Sequence, residues 1–171
     1  KKNSISRFKK MINPLQKTKD VNKQRDRFEE KELKEFSILF LVINNLDIFR
    51  KNIELISEIT FSTDLLNELK QKLVDYLLSE NFFQKKKINV DDFEERFKKI
   101  INIINTYAAV KVISKNKSES DLVVIFNEIK IEMKKIELKE RIRFLEDKVS
   151  LNLDENLYDE LLSLRNQLKS G

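Results

Sequence analysis

The sequence contains no cysteine, no histidine and no tryptophan, and its 171 residues include a single glycine, Gly171, and a single proline, Pro14. Without cysteine the chain has no disulfide framework and no thiolate metal site. Without histidine, a catalytic site in which histidine is the base that activates a nucleophile is excluded as well. Histidine ligands for zinc are also lacking. A β-sheet protein needs tight turns, and tight turns favour glycine at positive φ. The composition therefore predicts an all-α fold.

Two further absences bear on function. No apolar run reaches the roughly 18 residues that a membrane span needs, and no glycine-rich loop is present to cradle phosphates. Carboxylates are plentiful, but their clusters fall at predicted helix starts, where the helix dipole accounts for them. These clusters are Glu29–Glu30, Asp91–Asp92 and Glu94–Glu95. We therefore expect no catalysis, no metal, no cofactor and no membrane contact.

The basic character of the chain is concentrated at its N-terminus. Residues 1–27 hold ten basic and two acidic residues, a net charge of +8, whereas the whole chain carries +5, so the remainder carries −3. Pro14 and the small number of hydrophobic residues argue against a packed core here. We predict that residues 1–28 form a basic flexible linker. The alternative hypothesis is that its basic residues make a weak contact with nucleic acid phosphates.

Residues 29–117 are predicted to form a helical bundle subdomain. Residues 35–45 are apolar on almost every side, which is typical of a helix buried at the centre of a bundle. Further helices are predicted over residues 47–51, 54–59, 64–79 and 90–105, with Ser62 or Thr63 capping the third and Asn89 the fourth. Residues 106–113 either continue the fourth helix or form a short separate one. Because glycine is lacking, asparagine is expected to supply left-handed helix ends, at Asn44, Asn45, Asn81, Asn116 and Asn152.

Residues 118–171 are predicted to form a long helix followed by an antiparallel helical hairpin. Ser118 and Asp121 have the spacing of a capping box. The apolar stripe shifts partway along the helix, which indicates that the two halves of the helix pack against different parts of the protein. The first half contains Leu122, Phe126, Ile129, Met133 and Ile136. The second contains Leu138, Ile142, Leu145 and Val149, which would meet Leu157, Leu161, Leu164 and Leu168 after a break that Asn152 or Asp154 caps.

The order of these segments resembles the C-terminal, helicase-binding domain of the bacterial replicative DNA primase. The resemblance covers residues 29–169 and rests on four stretches: LVINNLDIF, IELISEITFSTDLLNEL, SDLVVIFNEI running into a long Glu/Lys/Arg helix, and LDENLYDELLSLRNQLK. These are helical patterns rather than catalytic signatures. The first helix departs from the family pattern, because Asn45-Leu46 stands where Asn-Pro is usual.

The resemblance implies a non-catalytic domain of the bacterial cytoplasm, at the replication fork. Such a domain binds the N-terminal domains of the hexameric replicative helicase, stimulates that motor and brings primer synthesis to the fork. Primer synthesis itself, by a DNA-directed RNA polymerase, belongs to other domains of these primases. The acidic tail of the single-stranded DNA-binding protein is a second candidate partner.

The candidate helicase-binding residues are those that the hairpin would leave outside its core. Aromatic and arginine side chains dominate binding hot spots, and the candidates are Phe144, Tyr158, Leu162, Arg165 and Lys169. Phe144 has the alternative of packing on the bundle. A second candidate site, for an acidic peptide, is the basic cluster Lys85, Lys86 and Lys87, whose simpler explanation is a solvated loop.

Two other classes of protein stay open at this level. The N-terminal domain of the helicase resembles the primase domain in fold, but a linker and a motor would follow it. A helical structural adaptor built as a long coiled coil would keep its repeat over several heptads, whereas this stripe breaks between Ile136 and Leu138.

Overall fold

A computed structural model of the protein describes residues 28–79, 90–152 and 154–170. Over these residues every element of regular secondary structure is a helix, which confirms the all-α prediction. The described helices are α1 (Glu30–Asn44), α2 (Leu46–Lys51), α3 (Ile53–Ser57), α4 (Asp64–Leu78), α5 (Glu95–Tyr107), α6 (Val110–Ile113), α7 (Glu119–Leu151) and α8 (Glu155–Ser170). Val90–Asp92 adds a short 3-10 turn. None of the helices so described is both long and apolar enough to cross a membrane.

Helix α1 lies at the centre of the bundle, as its apolar sequence predicted. Phe36, Ile38, Leu39, Leu41 and Val42 are each at most 1% exposed. The helix packs against α2, α5, α6 and α7. Contact on several sides explains why apolar residues occur all around α1 rather than in one stripe.

The loop before α4 is held by side-chain hydrogen bonds. Thr63 caps the helix, because its hydroxyl accepts a hydrogen bond from the Leu66 backbone N–H. Asn67 closes the loop from within the helix: its Oδ1 accepts from the Phe61 N–H at 2.8 Å, and its Nδ2 donates to the Phe61 carbonyl at 2.8 Å. The Thr63 bond satisfies an N–H that the helix start leaves without a partner, and the two Asn67 bonds hold Phe61 of the loop that joins α3 to α4.

Helix α7 takes part in two separate apolar cores. Leu122, Phe126, Ile129 and Met133 belong to the core of the bundle, where the Phe126 ring lies 4.9 Å from that of Phe49. The second half of α7 packs with α8 in a smaller core of its own. The shift in the apolar stripe therefore reflects a change of packing partner. The change from one apolar core to the other occurs within α7. The domain boundary predicted between residues 117 and 118 stays a prediction.

The predicted single helix over residues 90–105 is wrong. A 3-10 turn at Val90–Asp92 comes first, and α5 begins only at Glu95. Glu94 has extended backbone angles, φ −57° and ψ 151°, that interrupt the helix. The Phe93 ring folds back edge-on against Phe97, with ring centroids 6.3 Å apart. Aromatic packing at this point thus replaces continued helical hydrogen bonding.

The role predicted for asparagine is correct at one position only. Among the described residues other than glycine, Asn116 is the one with positive φ, at 60°. Asn45 and Asn152 have φ of −139° and −147°, and Asn81 lies outside the described residues. Two of these asparagines, together with Asn52, instead use the side-chain amide, which can bond a carbonyl of the last helical turn. The amides of Asn44, Asn45 and Asn52 each donate to the carbonyl four residues earlier, at 2.8–2.9 Å.

Candidate functional site

The candidate site is the helical hairpin formed by the second half of α7 and by α8. Ile142, Leu145 and Leu161 are its buried residues, with Leu138, Leu157, Leu164 and Leu168 partly buried around them. Seven of the eight predicted core positions are therefore present. Val149, the eighth, is half-buried and is not part of this cluster. The hairpin thus has a narrow apolar core separate from that of the bundle.

The hairpin turn is built by a helix end and a helix cap. Helix α7 ends at Leu151, and Asn152 is extended with φ −147° and ψ 115°. Asp154 caps α8, because its Oδ1 accepts hydrogen bonds from the backbone N–H groups of Asn156 at 2.9 Å and Leu157 at 3.3 Å. Of the two residues predicted as the cap, Asp154 therefore takes that role.

Two ion pairs join α7 to α8. The Arg141 guanidinium donates to Glu160 Oε1 through Nη2 at 2.7 Å and through Nε at 3.0 Å. Arg165 Nη2 donates to Glu146 Oε1 at 2.5 Å. Both pairs are solvent-accessible, and such pairs contribute only about 0.2–1 kcal/mol each. Each pair is compatible with one register of α8 along α7, and it adds little to the stability of the hairpin.

The ion pairs also define the two sides of the hairpin. Arg141 and Glu146 are five residues apart, as are Glu160 and Arg165. At about 100° per residue, five residues correspond to about 140° around a helix, so each helix contributes one residue to each flank of the apolar core. We call the flank of Arg141 and Glu160 the Arg141 side, and that of Glu146 and Arg165 the Arg165 side.

Phe144 lies on the Arg141 side, three residues beyond Arg141 on α7. Its side chain is 47% exposed. Lys148 Nζ lies 4.6 Å from the ring centroid and the Arg141 guanidinium carbon 5.4 Å from it, so two cations contact the aromatic ring. The alternative that Phe144 packs on the bundle does not hold for the described residues, because Phe144 is not part of the bundle core.

The other four candidate residues share the Arg165 side. Tyr158 and Leu162 precede Arg165 by seven and three residues, and Lys169 follows it by four. These spacings keep all four residues on one helix face. Tyr158 is 46% exposed and Leu162 is 40% exposed. The structure therefore brings these four together and places Phe144 on the opposite flank, so one flat partner surface cannot cover all five.

One exposed residue of the hairpin was missed from the sequence. Leu151 is 87% exposed and follows Phe144 by seven residues, two helical turns further along the same flank. Phe144, Lys148 and Leu151 thus form a short exposed stripe on the Arg141 side. The signal for it is the spacing of three and four residues that links these positions.

Two further predictions concern residues outside the hairpin: the acidic-peptide site and the absence of a metal or catalytic site. Lys85, Lys86 and Lys87, predicted to receive an acidic peptide, lie outside the described residues. Within the described ranges, no group of three or more acidic side chains is placed to hold a metal ion. The expectation that this chain has no catalytic activity and no cofactor stays a prediction.

No protein-family model matches the chain, and searches of curated proteins and of solved structures gave no match. Its function must therefore be inferred from its own residues and contacts.

Proposed function

We propose that the chain is the non-catalytic helicase-binding domain of a bacterial DNA primase. In this proposal the bundle supports the hairpin, and the hairpin binds the N-terminal domains of the hexameric replicative helicase. Binding would stimulate the helicase and bring primer synthesis to the replication fork. The partner comes from the sequence resemblance, and the binding surface comes from the side chains that the hairpin leaves exposed.

The observation that carries the proposal is the exposure of Tyr158 and Leu162 on the Arg165 side. Both side chains are at least 40% exposed, so they are available to be buried by a partner. An arginine lies next to them, and tyrosine with arginine is the combination enriched in binding hot spots. The engagement of Arg165 by Glu146 at 2.5 Å holds the guanidinium in place, so less side-chain freedom is lost on binding.

The small size of the hairpin core has a second effect on binding. Only three of its apolar residues are fully buried, so α8 gains little stability from α7 alone. A partner that covers the Arg165 side would stabilise α8, and part of the binding energy would be used in ordering it. We therefore expect helicase binding to reduce hydrogen exchange along α8.

The test compares alanine variants on the two sides of the hairpin. Tyr158→Ala with Leu162→Ala removes an aromatic and a leucine from the Arg165 side. Phe144→Ala with Leu151→Ala removes the same two residue types from the Arg141 side and is the matched control. Affinity for the N-terminal domain of the replicative helicase of the same bacterium is measured by calorimetry, and circular dichroism checks the fold.

We expect the Tyr158 and Leu162 variant to lose about 2 kcal/mol of binding, roughly thirtyfold in affinity, with the control pair near wild type. The reverse pattern would move the interface to the Arg141 side. Wild-type affinity in both variants, or no binding by the unmodified chain, would contradict the proposed function.

A further inference from the structure

A groove outside the hairpin lies between α1, α6 and the first half of α7. Its volume is about 410 Å³, within the range of clefts that bind ligands, roughly 300–1,000 Å³. Its floor is apolar and contains Leu33, Val110, Ile113, Ile125 and Ile129. Ile113 is 54% exposed at its edge, next to Val112, which is 82% exposed. The groove and these two side chains therefore leave apolar surface open to a further segment of chain.

The rim of the groove is acidic. Glu30, Glu128 and Glu132 line it, with Lys34 as the one basic lining residue. Lys34 is ion-paired with Glu132. Glu30 and Glu128 are exposed, and neither forms an ion pair with another described residue. Two negative charges are therefore available beside an apolar floor, and this combination favours a segment that is both apolar and basic.

Such a segment occurs at the N-terminus of the same chain. Residues 1–13 contain five basic residues and no acidic residue. Ile5, Phe8 and Ile12 are spaced by three and four residues, which is the spacing of one helix face, and Pro14 follows directly. Three large apolar side chains are too few for an independent core, but they are enough to cover one groove.

The connection between this segment and the groove is short. Phe28 is the first described residue, and its ring contacts Phe36 and Tyr107 at 5.2 Å between centroids. Glu30 of the rim is only two residues further on. The 14 residues from 14 to 27 would span roughly 20 Å on average as a flexible chain. A tether of that length keeps the segment at a local concentration of about the millimolar order.

We propose that residues 1–13 bind this groove, with Ile5, Phe8 and Ile12 against its apolar floor and their basic neighbours facing Glu30 and Glu128. Residues 14–27 keep the role of a linker. The groove would then be covered by the chain's own N-terminus, and its exposed isoleucines would be shielded from solvent. The groove uses no residue of the hairpin, so this contact is independent of helicase binding.

The absence of cysteine allows a direct test in the full chain, because two introduced thiols would be the only ones present. Ser4→Cys is combined with Val112→Cys, beside the groove, or with Leu151→Cys, near the hairpin turn. Positions 112 and 151 are 82% and 87% exposed, so the two thiols are similarly accessible. The rate of intramolecular disulfide formation under mild oxidation is measured for each pair.

We expect the Ser4 and Val112 pair to form its disulfide at least about tenfold faster than the Ser4 and Leu151 pair. Adding Phe8→Ala and Ile12→Ala should reduce the faster rate to that of the control pair. Glu128→Lys should slow it as well, because it removes one of the two available charges. Circular dichroism verifies that each variant stays helical.

Equal rates for the two pairs would overturn the proposal, since a segment that does not bind the groove would reach both thiols. A faster rate that the alanine substitutions leave unchanged would also overturn it. Disulfides found mainly between two molecules would assign the groove to a neighbouring copy instead. None of these results bears on the helicase-binding test, which uses the hairpin alone.

Discussion

Glu35 and Ser62 are joined by two hydrogen bonds that end on one carboxylate oxygen. Glu35 Oε1 accepts from the Ser62 backbone N–H at 2.7 Å and from the Ser62 hydroxyl at 2.6 Å. Glu35 is fully buried in α1, and Ser62 directly precedes the cap of α4. Glu35 Oε2 has no hydrogen-bond partner among the described residues. The pair thus fixes the loop before α4 to the central helix.

We predict that Glu35→Ala destabilises the fold by about 2–3 kcal/mol, because it leaves the Ser62 N–H without its acceptor and empties a buried position. Glu35→Gln keeps one acceptor oxygen at the same place and should cost less than about half as much. Urea unfolding of the two variants measures the difference. Equal losses in both variants would contradict this prediction, because Glu35→Gln retains both the side-chain volume and an acceptor oxygen for Ser62.

The capping box at the start of α7 gives a second prediction. Ser118 Oγ accepts from the Asp121 N–H at 3.2 Å, and Asp121 Oδ2 accepts from the Ser118 N–H at 3.2 Å. Ser118→Ala should cost about 1 kcal/mol, or roughly 2–4 °C in melting temperature. Ser163→Ala, at an exposed position of α8, is the control and should stay within about 0.5 kcal/mol of wild type.

The same capping box should make stability depend on pH. Hydrogen bonds from Ser118, side chain first and backbone second, lower the pKa of Asp121 below its ordinary 3.8. A carboxyl whose pKa is lower in the folded state stabilises the fold above its unfolded pKa and loses that contribution as the pH falls through its folded pKa. We expect Ser118→Ala to flatten the loss of stability below about pH 4, as followed by urea unfolding at several pH values.

Some acid sensitivity should remain in that variant. The hydrogen bond from Lys130 lowers the pKa of Glu58 as well, and it acts in the same direction. An acid limb in Ser118→Ala as steep as in wild type would mean that the Ser118 hydroxyl does not lower the pKa of Asp121, since the backbone hydrogen bond from residue 118 remains in that variant.

The two apolar cores should respond separately to substitution. Phe126→Ala removes a fully buried ring from the bundle and should lower global stability by about 3–5 kcal/mol. Leu161→Ala removes one of the three buried residues of the hairpin, so it should release α8 while the bundle stays folded. Hydrogen exchange distinguishes the two effects, because local opening raises exchange along α8 alone. Parallel loss of protection in α1 and α8 in both variants would show a single cooperative unit.

The hairpin ion pairs should be energetically weak. A double-mutant cycle with Arg165→Ala and Glu146→Ala, read out by exchange of the α8 amides, should give a coupling of about 0.2–1 kcal/mol. The cycle on Arg141 and Glu160 should give a similar value, because that pair is equally solvent-accessible. A coupling above about 2 kcal/mol in either cycle would mean that the pair stabilises the hairpin as well as setting its register.

Much of the fold could be predicted because its signals are local. The box of Ser118 and Asp121 depends on residues three apart, and the leucine stripe of α8 depends on helical spacing alone. The start of α5 could not be predicted in this way, because it depends on how Phe93 packs against Phe97. For the site, spacing predicted which residues of each helix lie outside the core. It did not show that Phe144 and Tyr158 lie on opposite flanks, since that depends on which way α8 turns back along α7.

Helix α7 runs for 33 residues through both cores, and no glycine or proline interrupts it. At Glu137 it is still joined to the bundle, by an ion pair with Lys31 of 3.1 Å. From there to Leu151 the helix extends about 21 Å further, at about 1.5 Å per residue. It therefore acts as a stiff lever, in which a tilt of about 10° at Glu137 moves its far end by roughly 4 Å. Small changes in the packing of the bundle against α7 would therefore move the tip of the hairpin by the width of a side chain.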